Sequence, residues 1–209
     1  MGMGHAYLIE NKHGMLLIDA GIPGQTWRVL KLMHAIGRDD LHMIFITHAH
    51  LDHYGCAAEL QRLTGAKISI HRQDADAMAR GETPLGYVRG WGKVGKSLLP
   101  LFLSLIRLEP TPADVILDDG SYLPDVGFEA VVIHTPGHTP GSSCLVVDGR
   151  YAFAGDLLTN NGTPKVQRYY AHNWSQIPNS LQRLQTQNPE IVYPGHGRRP
   201  LSRAELQAM

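Results

Sequence analysis

Apolar and polar residues alternate along the chain in two rhythms, and each change of rhythm marks a new element. "HAYLIE" and "GMLLIDAG" have the short aliphatic character of strands and flank an Asn-Lys-His-Gly turn, which predicts an opening hairpin. From Gln25 to Ile36 the apolar residues Trp27, Val29, Leu30, Leu32, Met33 and Ile36 recur at three-to-four spacing, so this stretch predicts an amphipathic helix ended by Gly37. "HMIFIT" then reads as a buried strand, residues 54–64 as a helix with Leu60 and Leu63 on one face, "AKISI" as another strand, and residues 72–80 as a polar helix.

The second half carries strands at "DVILDDG", "FEAVVIHT", "SSCLVVDG" and "YAFAGD", a helix from about Trp174 to Gln187, and a last strand "EIVYPG". Several of these strands follow one another with no room for a crossover helix, which points to an α/β or α+β sandwich rather than a strictly alternating barrel. Between the halves, residues 84–108 mix glycines and prolines with the apolar side chains Trp91, Leu98, Leu99, Leu101, Phe102 and Leu103, without a clean period. That segment is either a lid over a site or a plain core helix at 97–107.

The length of 209 residues suits a single domain spanning 1–209. Lysine plus arginine balance aspartate plus glutamate at 19 each, so no field favours a polyanion and nucleic acid is not an expected partner. Cys56 and Cys144, the only cysteines, lie among apolar neighbours and read as small buried side chains. The first residues lack a basic segment followed by an apolar one, and no run approaches the length of a membrane span, so the expectation is a soluble, cytoplasmic protein. Oligomeric state is not legible.

The twelve histidines change the picture because of where they fall. In "FITHAHLDHYG" an apolar strand stops at Thr47, and His48, His50, Asp52 and His53 occupy the loop beyond its end. Residues two apart in extended chain face the same way, so His48 and His50 can grip one ion, while Asp52 and His53 diverge and can serve a second. A histidine-rich exposed loop would be the plainer reading, but the same construction recurs downstream. "VVIHTPGHTPGS" carries His138 past a strand, "YAFAGDLL" ends in Asp156, and "IVYPGHG" ends in His196. Singly each is an ordinary loop residue or helix cap. Together, five histidines and two aspartates at four strand ends, with no thiolate, suit two divalent ions, zinc first, with manganese or iron as alternatives.

"HxHxDH" followed by a later histidine, an aspartate and a final histidine resembles the metallo-β-lactamase superfamily, from about residue 6 to residue 198. The resemblance implies a four-layer αβ/βα sandwich with metals at one edge. It also implies that His48, His50 and His138 hold one ion, Asp52, His53 and His196 the other, and Asp156 bridges both. Asp19, in "LLIDAG", matches the family's early aspartate, which supports the first histidine loop. Relatives usually carry another strand before the first one here.

The activity so implied is hydrolysis of a small-molecule ester, thioester, lactone or lactam by a metal-activated hydroxide, with Asp52 or Asp156 orienting it and relaying a proton. Only thirteen residues follow His196, which argues against the glyoxalase II type with its helical C-terminal region. The nuclease branches usually carry an inserted portion that is not seen here. Alternatives are a mono-iron enzyme of the persulfide dioxygenase type and a non-catalytic metal-binding module. Lys165, Tyr169, Tyr170 and His172 follow Asp156 closely enough to reach the cleft, and the apolar segment 84–108 points to a substrate with an apolar portion.

Overall fold

The computed structural model describes residues 4–90, 92–94, 97–98 and 108–209. The opening hairpin forms as the spacing predicts, with β1 (Tyr7–Asn11) antiparallel to β2 (Gly14–Ile18). β2 stops where Asp19 enters the left-handed region at φ 58°, a conformation that aspartate tolerates better than most residues. α1 (Thr26–Ala35), β3 (Leu41–Ile46), β4 (Lys67–His71) and α4 (Arg72–Ala79) fall within or beside their predicted ranges. The predicted helix over 54–64 is instead two helices, α2 (Leu51–Tyr54) and α3 (Ala57–Thr64). The break comes where the chain is tied to the loop after β2, the Cys56 thiol donating to the Ile22 carbonyl at 2.8 Å.

With β6 (Val115–Leu117), these strands form a five-stranded mixed sheet in the order β1-β2-β3-β4-β6, following the two-residue β5 (Tyr87–Val88) in the chain. The second sheet is built from β7 (Ala130–His134), β8 (Ser143–Val147) and β9 (Tyr151–Phe153), then β13 (Ile191–Tyr193) and β15 (Leu201–Ser202), in the order β15-β13-β9-β8-β7. Two small sheets that the pattern of apolar residues did not predict complete the set. In one, β10 (Leu158–Asn160) pairs with β11 (Pro164–Val166) and with β14 (His196–Gly197); in the other, β12 (Tyr170–Ala171) pairs with β5. These strands are two or three residues long, so they carry little alternation to read.

Alternation along each strand sorts the side chains into layers. Leu16 and Ile18 of β2, Met43 and Phe45 of β3, Val132 of β7 and Leu145 and Val147 of β8 form one buried cluster between the two sheets. The opposite faces of β2 and β3, Leu17, Ile44 and Ile46, with Ile68 and Ile70 of β4, pack on Val29, Met33, Leu60 and Met78 of the helices. On the far side, Ile133, Cys144 and Val146 pack on Ile177 and Leu184 of helix α5 (Ile177–Thr186) and on Leu206 of helix α6 (Arg203–Gln207). Two sheets face to face with helices outside make the predicted four layers. Both cysteines are buried, and burial pushes the Cys144 thiol up to about 12.

Of the segment 84–108, residues 91, 95, 96 and 99–107 lie outside the described residues, so the choice between lid and core helix falls outside them as well. No helix among the described residues is long and apolar enough to cross a membrane.

Candidate metal centre

β2, β3 and β4 run parallel, as do β9 and β13, so their C-terminal ends share edges. The loops beyond β3, β7, β9 and β13 carry the seven predicted donors, and the structure brings all seven together. His48 Nε2, His50 Nδ1 and His138 Nε2 lie 2.9 to 3.2 Å from one another. Asp52 Oδ2 lies 3.3 Å from His196 Nε2, and Asp156 Oδ1 lies 3.2 Å from both His53 Nε2 and His196 Nε2. The other oxygen of Asp156, Oδ2, faces His138 Nε2 at 3.5 Å. Asp156 therefore presents one oxygen to each group.

Several bonds aim these side chains. His50 Nε2 donates to the Pro84 carbonyl and His138 Nδ1 to the Tyr170 carbonyl, both at 2.8 Å. His53 Nδ1 donates to Asp19 Oδ2 at 2.7 Å, and His48 Nδ1 to the Thr47 hydroxyl at 3.0 Å, which itself donates to Asp19. With each outer nitrogen committed to donating its proton, the inner nitrogen is the one left to face a cation. Asp19 thus stands where the sequence placed it, beneath the first histidine loop, and it also accepts from the Thr47 backbone N–H.

This donor set is able to hold cations. Ligands held about 2.0–2.1 Å from a tetrahedral zinc lie roughly 3.3 Å apart, close to the separations seen here. Buried His53 Nε2 and Asp156 Oδ1 each lack a hydrogen-bond partner although only 3.2 Å separates them. Buried polar atoms without partners are costly unless something else satisfies them. The donors form overlapping groups able to hold an ion: His48, His50 and His138; His48, His53 and Asp156; Asp52, His53 and His196.

The two groups differ in charge. Burial, with His53 and His138 adding to it, holds the His48 imidazole well below its usual 6.5, and burial beside His50 pushes His138 down to about 3. These rings stay neutral and keep their lone pairs. Burial also opposes charge at His53, but Asp19, Asp156 and Asp52 outweigh it and hold that ring well above 6.5. His196 is raised to about 10, by Asp156 first and against burial. Burial works against the carboxylates of Asp52 and Asp156 too, yet His53 and His196 keep both below the usual carboxylate range. A cation at the acidic group would displace the protons of His53 and His196, whereas His48 and His138 have none to give up.

A cavity of about 280 Å³ opens from Asp156 and His196 and is lined by the β10–β11 hairpin and the chain after it. Lys165, Tyr169 and Tyr170 line it, as do Gln167 and Arg168. His172 is exposed and outside the lining, and only its backbone N–H reaches the site, donating to the His138 carbonyl.

Sequence reasoning overlooked several contributors. Pro84, and Tyr170 beyond the side-chain role expected of it, act through backbone carbonyls, which leave no mark on residue type. Gly195 leaves no room for a side chain, since a Cβ there would collide with Asp156 Oδ1. The loop that bears it is pinned by the His5 N–H on the Gly195 carbonyl and the Tyr7 hydroxyl on that of Pro194. Asp74, in the first turn of α4 just past β4, ties two of the histidine loops together. A signal for it existed: "ISIHRQD" is one more apolar strand with an acid just past its end.

Residues 1–196 match the family described as the Metallo-beta-lactamase superfamily. The chain is 26% identical to a probable metallo-hydrolase, YqgX of Bacillus subtilis, with 92% of this chain and 84% of that protein covered. It is 26% identical to the hydroxyacylglutathione hydrolase GloC of Haemophilus influenzae, covering 90% and 82% respectively. Among solved structures it resembles TTHA1623 in a di-iron-bound form, at 30% identity and a TM-score of 0.72, with 98% of this chain and 92% of that chain covered.

Proposed function

The chain belongs to the metallo-beta-lactamase superfamily, and from that premise we propose that it is a hydrolase that uses two divalent ions to cleave a small ester, thioester, lactone or lactam. One observation carries the reading: seven nitrogen and oxygen donors from four strand ends converge, with the two oxygens of Asp156 turned to different groups. His48, His50 and His138 would hold one ion, Asp52, His53 and His196 the other, with Asp156 shared. Zinc fits the all-nitrogen-and-oxygen set, and the di-iron form of TTHA1623 keeps iron in view.

When bound, such ions lower the pKa of a coordinated water toward about 7 and polarise the substrate carbonyl. The chain's own residues supply the rest. Asp156, with its two oxygens turned to different groups, orients the nucleophile. The Asp52 carboxylate, 26% exposed at the mouth of the site, takes up and passes on the proton. Lys165 and Arg168 on the cavity wall would receive an anionic part of the substrate and Tyr170 a neutral oxygen, so the scissile bond would be set against Asp156. Among the described residues of that lining, Asp156 is the one acid beside Lys165 and Arg168, a balance that favours an anionic substrate.

The relative named as a hydroxyacylglutathione hydrolase is matched over 82% of its length. Excluding glutathione thioesters because few residues follow His196 therefore does not hold, and they belong among the substrates to test. The test is metal content together with a panel of chromogenic ester, thioester, lactone and cephalosporin substrates on zinc- and iron-reconstituted protein. About two equivalents of metal with hydrolysis of at least one class is the expected result. One equivalent of iron with oxygen uptake on a persulfide, and no hydrolysis, would overturn it.

A further inference from the structure

Asp74 lies in the first turn of α4 and is 2% exposed. Its carboxylate accepts three hydrogen bonds from two other parts of the chain. Oδ2 takes the Ala49 backbone N–H at 2.8 Å and the Thr139 hydroxyl at 2.6 Å, and Oδ1 takes the Gly141 backbone N–H at 2.6 Å. Ala49 stands between His48 and His50, and Thr139 directly follows His138. Gly141 lets the second loop come this close, because a Cβ there would stand 2.6 Å from the Asp74 backbone nitrogen.

We propose that Asp74 is a positioning residue for the three-histidine group: one carboxylate pins both loops, so His48, His50 and His138 converge before any ion arrives. The inference rests on reading those histidines as metal ligands. The two loops come from different sheets, 88 and 90 residues apart at their histidines. Without a shared anchor, closing the group would have to be driven by the metal itself, and the ordering cost would appear as lost affinity. A carboxylate suits the task because all three of its partners are donors. An asparagine in its place would turn an N–H toward at least one of them. Asp19 holds the same histidine loop at Thr47 and at His53, on either side of Ala49. The loop is thus held at three points by two buried carboxylates.

The experiment compares Asp74→Asn, the milder Thr139→Val, His138→Ala and the control Asp114→Asn. Asp114 also anchors backbone, accepting the Ile68 N–H at 2.7 Å, but touches none of the ligand loops. Cobalt(II) and zinc titrations of the metal-free proteins, followed by the cobalt visible spectrum, give the affinity of each of the two steps, and thermal unfolding of the metal-free proteins reports fold. In Asp74→Asn the step sensitive to His138→Ala is expected to weaken about 10- to 100-fold, with an altered cobalt spectrum. The other step should change less, Thr139→Val should shift the same step in the same direction by less, and Asp114→Asn should alter neither. Unchanged affinities in a folded Asp74→Asn would overturn the proposal, as would equal weakening of both steps matched by Asp114→Asn. If Asp74→Asn does not fold, Thr139→Val decides on the same criteria. If His138→Ala itself binds two ions as the parent does, the ligand reading fails instead.

Discussion

Replacing Asp19 with asparagine tests whether hydrogen bonds behind the ligands set the chemistry in front of them. Asp19 Oδ1 accepts from the Thr47 backbone N–H at 2.8 Å, its two oxygens share the Thr47 hydroxyl, and Oδ2 accepts from His53 Nδ1 at 2.7 Å. An asparagine oxygen can keep the Thr47 contacts, which leaves the amide N–H₂ facing His53. The imidazole must then lose that bond or move its proton to Nε2, the nitrogen aimed at Asp156, and in the second case it can no longer bind a cation. A hydrogen bond to a charged group contributes about 1.5–3 kcal/mol. At about 1.36 kcal/mol per tenfold, that is roughly a 10- to 150-fold loss at the group containing His53, in line with the about 10- to 100-fold typical of residues that orient ligands. His48 keeps its bond to the Thr47 hydroxyl, so the three-histidine group should change little. Stepwise zinc affinity, measured by competition with a chromophoric chelator, reads the two groups separately. A folded Asp19→Asn that takes up both equivalents with parental affinity would refute the reasoning, as would an equal loss at both groups.

Four further outcomes are expected. His50→Ala and Asp156→Ala should each reduce turnover to background on any substrate the parent cleaves, with far-ultraviolet circular dichroism unchanged, because both residues sit in loops beyond strand ends. Gly195→Ala should lower both metal content and melting temperature, since the new methyl collides with Asp156 Oδ1; overpacking of this kind costs about 1–3 kcal/mol, and calorimetry on the metal-free and loaded forms would show it. Lys165→Ala and Arg168→Ala should raise KM for an anionic ester about tenfold or more while leaving KM for its neutral analogue unchanged, and equal effects on both would remove the case for an anionic substrate. In chelator-treated protein His196 has a folded pKa of about 10, raised first by Asp156, against 6.5 unfolded. The stability it contributes is therefore complete below pH 6.5 and is lost as pH rises through about 10. Thermal unfolding of the metal-free protein from pH 6 to 11 should show that fall, and His196→Gln should flatten it.

How much was legible beforehand varied with how local each feature is. α1 and α5 were readable because burial of one face repeats at a fixed interval along them, and β2 and β3 because they are short, nearly continuous apolar runs buried on both faces. The β10–β11 hairpin and the paired β5 and β12 were not, since two- and three-residue strands carry no period and exist through the segments they pair with. The break between α2 and α3 likewise reflects a tie to Ile22 that no pattern within 54–64 encodes.

The sequence by itself determined which atoms could hold a cation. "HxHxDH" is compact, and the side chains of His138, Asp156 and His196 declare their chemistry by type at the ends of recognisable strands. Tertiary structure alone decided how those atoms are aimed. The Pro84 carbonyl that fixes His50 lies 34 residues from it, the Tyr170 carbonyl that fixes His138 lies 32 away, and Asp74 reaches across 25 residues to Ala49 and 65 to Thr139. Every residue offers a carbonyl, and aspartates in first helical turns are common, so neither stands out in one dimension. Only the packing of the two sheets brings these groups within hydrogen-bonding distance of the ligands they direct.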